Sequence, residues 1–169
     1  MNHRPISQRR LSVFLISLGV FGLDRWSKWL VETHLGPFDT KRVIPGLLNF
    51  VSSRNPGVAF GILAESSSSF RTSVLVAFSL LAVGILAVLL WRVDRTDRRT
   101  ATALACIFGG ALGNVYDRVR SGTVTDFIDL YMGQVHWYTF NVADTAICVG
   151  AGLLLLAMWK PSGAPVRAT

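Results

Sequence analysis

The sequence predicts an all-α membrane protein of four transmembrane helices with a small extracytoplasmic β-platform in its first outer loop, and three observations support this. Apolar residues fill 51% of 169 positions and mean hydropathy is +0.44, more than a soluble domain of this size buries. Apolar segments recur at lengths near the roughly 20 helical residues that cross a hydrocarbon core about 30 Å thick. Lysine and arginine are divided unevenly between the segments that join them. All of this fits a single membrane-embedded domain over residues 1–169.

The expected spans are residues 11–31, 72–91, 100–116 and 139–159. The second is free of charge, the first meets Asp24, and the fourth meets Asp144. Outer loops fall at 32–71 and 117–138, and a short arginine-rich connection at 92–99. The basic N-terminus followed by an apolar run resembles a signal peptide, but no small-residue cleavage site follows, so it is read as a retained anchor. Orientation follows basic-residue density. Arg4, Arg9, Arg10, Arg92, Arg95, Arg98, Arg99, Lys160 and Arg167 crowd about 27 flanking residues, whereas Lys41, Arg42, Arg54, Arg71, Arg118 and Arg120 are spread over about sixty. Both termini are therefore expected in the cytoplasm. Trp26, Trp29 and Trp137 then fall at one interface and Trp91 and Trp159 at the other, where amphipathic rings settle.

The basic balance of +7 does not point to nucleic acid, because no basic stretch carries the interleaved aromatics of a base-stacking surface. Cys106 and Cys148 lie in apolar runs and read as packing residues. His3, His34 and His136 are scattered, so no metal and no cofactor is expected. In the third span Gly109 and Gly113 form a GxxxG that admits a close helix neighbour. In the first outer loop, VIPGLLNFVS and RNPGVAFG, with Asn55, Pro56 and Gly57 as a turn signal, suggest a strand pair resting on the membrane.

Polar groups in membrane helices are costly, about 2.5 to 3.5 kcal/mol for an aspartate, and each calls for a partner or a purpose. Asp24 and Lys28 have the spacing and order of an ion pair on one helix face. Asn114, Asp117 and Arg118 fall on neighbouring turns at the outer end of the third span. Asp126 and Asp129 lie in the second outer loop, and Asp144 sits about one turn inside the fourth span with Asn141 three residues before it. A loop carboxylate meeting Asp144 would make a pair that shares a proton and activates water. Spacing alone leaves an ion or proton relay equally open, and leaves open which loop aspartate takes part. A transporter relay calls for ionisable groups throughout the membrane's depth; here the intramembrane charge gathers at the outer end. A purely structural adaptor leaves the aspartates unexplained.

Four blocks resemble the lipoprotein signal peptidases, the type II signal peptidases of bacteria: DRWSK (Asp24–Lys28), NPGVAF (Asn55–Phe60), GGALGNVYDR (Gly109–Arg118) with VTDF (Val124–Phe127), and FNVAD (Phe140–Asp144). Arg25 and Thr125 depart from the usual pattern. The resemblance implies a four-helix inner-membrane aspartyl endopeptidase, blocked by globomycin, that acts on diacylglyceryl-modified prolipoproteins and cuts just before the modified cysteine. It places the catalytic aspartates at Asp126 and Asp144 and leaves Asp129 as a loop surface residue. It assigns substrate and dyad support to Asn55, Gly57, Asn114, Arg118 and Asn141, with Asp24 and Lys28 nearby. The enzyme is expected to act as a monomer embedded in membrane lipid. Because Asp144 stands at the outward N-terminus of a helix, whose dipole favours an anion, the shared proton is expected mainly on Asp126.

Overall fold

Three glycines on one helix decide how the others pack. In the computed structural model, which describes residues 6–37, 39–57, 67–94 and 97–159, the helices are α1 (Ile6–His34), α2 (Ser68–Arg92), α3 (Arg98–Ser121) and α4 (Val142–Met158). Helix α3 is central and touches the other three. A Cβ at Gly109 would stand 2.6 Å from the Ser17 carbonyl of α1, and one at Gly110 would stand 2.5 Å from the Ala143 carbonyl of α4. The expected GxxxG face is therefore where α1 lies, and Gly110 opens a second close approach on the α4 side.

Among the described residues, α2 alone is both long and apolar enough to cross a membrane by length and composition, and α4 is a shorter apolar helix. Helix α2 packs on α3 with no side chain buried. Phe78, Leu81, Trp91, Leu155 and Leu156 are exposed, as are all five tryptophans. The largest fully buried side chains are polar, Lys28, Asn141, Thr125, Asp24 and Asp126, and they share the interior with apolar ones such as Leu104, Val115 and Phe127. Many long apolar side chains face outward, as suits a surrounding that is itself apolar. Of the cysteines, Cys106 is partly covered while Cys148 is exposed, so only the first packs as expected.

The β-structure is larger than expected and draws on both outer segments. Strands β1 (Thr40–Ile44), β2 (Leu48–Asn55), β3 (Val124–Met132) and β4 (Val135–His136) form one antiparallel sheet in the order β1-β2-β3-β4. The β1–β2 turn is at Pro45–Gly46, where Gly46 takes φ 81°, and Asn55–Gly57 instead ends β2. The expected turn signal was thus genuine but misplaced. Val58–Phe60 of the same block lie outside the described residues, as do Arg4, Arg95, Lys160 and Arg167.

The expected loop 117–138 is mostly regular. Helix α3 continues to Ser121 and closes on Gly122 in the left-handed conformation at φ 73°, a C-terminal stop that glycine adopts without strain. Strand β3 follows at once, and its Ile128 bridges to Phe140, the residue before the α4 cap. Asp126 is therefore held in a strand between the ends of α3 and α4.

Candidate active site

The site is built at the N-terminus of α4. Asn141 caps this helix: its Oδ1 accepts the backbone N–H of Asp144 at 2.9 Å, and the Asp144 carboxylate accepts the backbone N–H of Asn141 at 3.2 Å. This reciprocal pairing satisfies two amides that a helix start leaves open. Asp24 takes a third, accepting the Ala143 N–H at 2.9 Å. Gly113 makes room for that approach, because a Cβ there would lie 2.4 Å from Asp24 Oδ2.

Two asparagines then join the two expected catalytic carboxylates. Asn141 Nδ2 donates to Asp126 Oδ1 at 2.7 Å and to Asn114 Oδ1 at 3.2 Å. Asn114 Nδ2 donates to Asp144 Oδ1 at 2.8 Å. From the other side, Asn55 Nδ2 donates to Asp126 Oδ2 at 2.9 Å. Asn55 is itself held in an Asx turn, its Oδ1 accepting the Gly57 N–H at 2.8 Å. Gly57 permits that turn with φ 75°. Burial raises the Asp126 pKa to about 6, with the like charge of Asp144 adding to it and the hydrogen bonds from Asn55 and Asn141 and the charge of Lys28 opposing. Arg118 lies within electrostatic reach of Asp144, Asp126 and Asp117, and its Nη1 donates to the Asn114 carbonyl at 3.4 Å.

Beneath the carboxylates lies a buried charge lattice. Lys28 Nζ reaches Asp24 Oδ2 at 2.8 Å, Asp117 Oδ2 at 2.8 Å and Asn114 Oδ1 at 3.2 Å. Arg25 pairs with the other oxygen of Asp117 and lies 4.6 Å from the Tyr116 ring centre. The Asp24–Lys28 ion pair expected from spacing is present. Asp117, which the sequence groups with Asn114 and Arg118, and Arg25, which departs from the usual pattern, thus join the expected site residues. Thr125 was noted as unusual, and its role is geometric. Its Oγ1 donates to Glu32 Oε1 at 2.7 Å, its backbone N–H to Asp117 at 3.4 Å, and its carbonyl accepts from Asn141 at 3.3 Å. The strand is thereby fastened to α1, α3 and α4 beside Asp126.

Asp129 is not the loop surface residue that was expected. It is buried in β3, 5% exposed, and accepts from Asn49 Nδ2 at 2.9 Å while lying 2.9 Å from His136 Nδ1. Burial acts to raise its pKa, but the bonds from Asn49 and His136 prevail and hold it below the usual carboxylate value. Strand register explains the separation from Asp126: three residues on, Asp129 faces the other side of the sheet. Among the described residues, no group of three or more His, Cys, Asp or Glu is arranged to hold a metal ion.

Known proteins resemble the chain in sequence and in fold. The sequence profile of the family described as signal peptidase (SPase) II matches residues 16–160. The lipoprotein signal peptidase of Solibacter usitatus is 49% identical over 152 residues, covering 90% of this chain and 93% of its own. That of Shigella boydii serotype 4 is 43% identical over 145 residues, covering 84% and 85%. A bacterial membrane enzyme solved by the in meso method at 2.3 Å resolution superposes with a TM-score of 0.79 at 29% identity, covering 94% of this chain and 93% of that one. With family profile, near full-length relatives and fold in agreement, the chain belongs to the signal peptidase II family.

Proposed function

We propose that this chain is an intramembrane aspartyl endopeptidase that removes the signal peptide from diacylglyceryl-modified prolipoproteins by cutting just before the lipid-modified cysteine. The observation that carries the proposal is the asparagine-bridged pair Asp126 and Asp144. In the mechanism, ionised Asp144 takes a proton from water, whose oxygen attacks the carbonyl carbon preceding the cysteine. Protonated Asp126 donates a hydrogen bond to the carbonyl oxygen. As the tetrahedral intermediate collapses and its C–N bond breaks, the cysteine nitrogen takes the proton that Asp144 accepted from water and leaves as an amine, so Asp144 is ionised again and Asp126 keeps its proton.

Charge balance supports a single shared proton. Asp24 and Asp117 offset Lys28 and Arg25, and the remaining Arg118 offsets one negative charge on the dyad, not two. A buried cluster left with an uncompensated charge is strongly disfavoured.

The same reading has all four helices spanning the membrane as one peptidase domain, with both termini in the cytoplasm and the dyad at the outer boundary. There a lipid-anchored substrate, held in the bilayer plane, meets water. Globomycin-type peptides would compete for this position. Cleavage of a diacylglyceryl-modified prolipoprotein by the purified chain tests the function; a purified, folded chain that leaves this substrate intact rules it out. Labelling of a cysteine at position 97 by an impermeant reagent in intact cells would overturn the orientation.

A further inference from the structure

Strand β2 is longer than its partner on one side. Strand β1 begins at Thr40, opposite Val51, so Ser52–Asn55 have no strand beside them on that edge among the described residues, while their other edge pairs with β3. At about 3.3 Å per residue, this open edge is about 13 Å long. It borders a cleft of about 560 Å³ between β1, β2 and the outer end of α1, lined in part by Glu32, Leu35, Asp39, Thr40, Ser52 and Arg54.

The charged side chains around the cleft are already engaged with each other or with the fold. Glu32 accepts the Thr125 hydroxyl at 2.7 Å and lies 3.9 Å from Arg54 Nη1. Asp39 accepts the Gly36 N–H at 2.8 Å. What the cleft has left to offer is mainly the backbone edge, which suits an extended polypeptide added as a further strand.

The cleft also adjoins the dyad. Ser53 lies opposite Asp126 and Arg54 opposite Thr125. A chain added at about 4.8 Å from β2 would run about 10 Å from β3, a distance that three extended residues cover.

Resting on the proposed peptidase function, we propose that Ser52–Asn55 is a substrate subsite. The polypeptide following the modified cysteine pairs with it by strand addition and is recognised through main-chain rather than side-chain groups. Of the substrate's parts, this is the one that must leave the membrane, and the cleft lies on the same outer face as the sheet.

The test uses the full chain in lipid with a diacylglyceryl-modified lipopeptide and its variants singly N-methylated at the second, third and fourth residues after the cysteine. An antiparallel edge takes bonds from alternate residues. Losses in kcat/KM should therefore alternate, about two- to tenfold at the positions facing β2 and small between them, as the loss of single main-chain hydrogen bonds implies. Uniform losses, or none, overturn strand addition while leaving the peptidase intact. Failure to cleave the parent lipopeptide overturns the function itself. A photoreactive side chain at the third residue should attach within residues 52–54, and attachment elsewhere refutes the subsite.

Discussion

Asn141 donates to Asp126 at 2.7 Å, and the same side chain caps the helix that carries Asp144. Asn141 thus ties together two carboxylates that arise from different elements, a strand and a helix, with Asn114 as the second link between them. Asn141→Ala removes both bonds. Loss of the cap costs about 0.5 to 2 kcal/mol. Loss of the dyad geometry should lower kcat by about a hundredfold, as a misplacement near 1 Å does. Thermal unfolding in detergent and single-turnover cleavage measure the two effects separately. A variant that unfolds earlier but keeps its kcat would reduce Asn141 to a cap.

Asp126→Asn and Asp144→Asn should each abolish cleavage while the chain still inserts and folds, because an amide keeps the shape and removes a charge. Asp129→Asn should leave cleavage largely intact and act on the platform instead. Since the folded Asp129 carboxyl sits below its usual value, its contribution to stability is present above the unfolded pKa and is lost as pH falls through the folded one. Acid unfolding of the parent, flattened in Asp129→Asn, is the expected result. A dead Asp129→Asn beside an active Asp126→Asn would reassign the dyad.

Helices and their order were legible because long apolar runs and basic flanks are strong local signals, and Asp24 with Lys28 was legible because a helix puts residues four apart together. Strand β3 was not. Val124–Met132 has its apolar alternation broken by two aspartates, and its pairing with β2 joins residues about 70 to 80 positions apart. Asp129 was misjudged for the same reason, since its burial depends on Asn49 and His136 across the sheet. The choice between Asp126 and Asp129 came from family resemblance. Spacing could not make it without the register that places Asp126 opposite Ser53. Arg25 looked like a departure; the oxygen it meets, on Asp117, lies 92 positions away.

Substitution of the α3 glycines should rank by what a Cβ would meet. At Gly110 it meets the Ala143 backbone at 2.5 Å, where relief requires moving a helix. At Gly113 it meets the Asp24 carboxylate at 2.4 Å, which would release the Ala143 N–H. Overpacking of this kind costs about 1 to 3 kcal/mol. Gly84 on α2 has nothing within 4 Å, so Gly84→Ala should be neutral or mildly stabilising. Melting temperatures should follow Gly84→Ala above Gly113→Ala above Gly110→Ala. Gly113→Ala should also lose activity beyond its stability change, because Asp24 helps to place the α4 start.

The pH dependence should show where the shared proton resides. Asp126 titrates near 6 in the folded chain, raised from 3.8 by burial and by the charge of Asp144. The sign is that of a raised carboxyl: the native state holds a proton that the unfolded chain has released, so this contribution to stability is complete below pH 3.8 and is lost as pH rises through about 6. Asp126→Asn removes the ionisation, so the variant should gain stability over the parent above pH 6, by at most about 3 kcal/mol for a shift near two units. Cleavage follows the same proton. If the acid form of Asp126 must hold the substrate carbonyl, kcat/KM in the parent should fall as pH rises through about 6, the macroscopic value belonging to the coupled pair. Asp144, whose carboxylate accepts the backbone N–H of Asn141, carries the complementary role of base in the proposed mechanism. Isotope-edited infrared spectra of the free enzyme below pH 6 should therefore show a protonated carboxyl that vanishes in Asp126→Asn and persists in Asp144→Asn, where loss of the Asp144 charge lowers its titration midpoint. The opposite pattern would place the proton on Asp144 and exchange the two roles in the proposed mechanism.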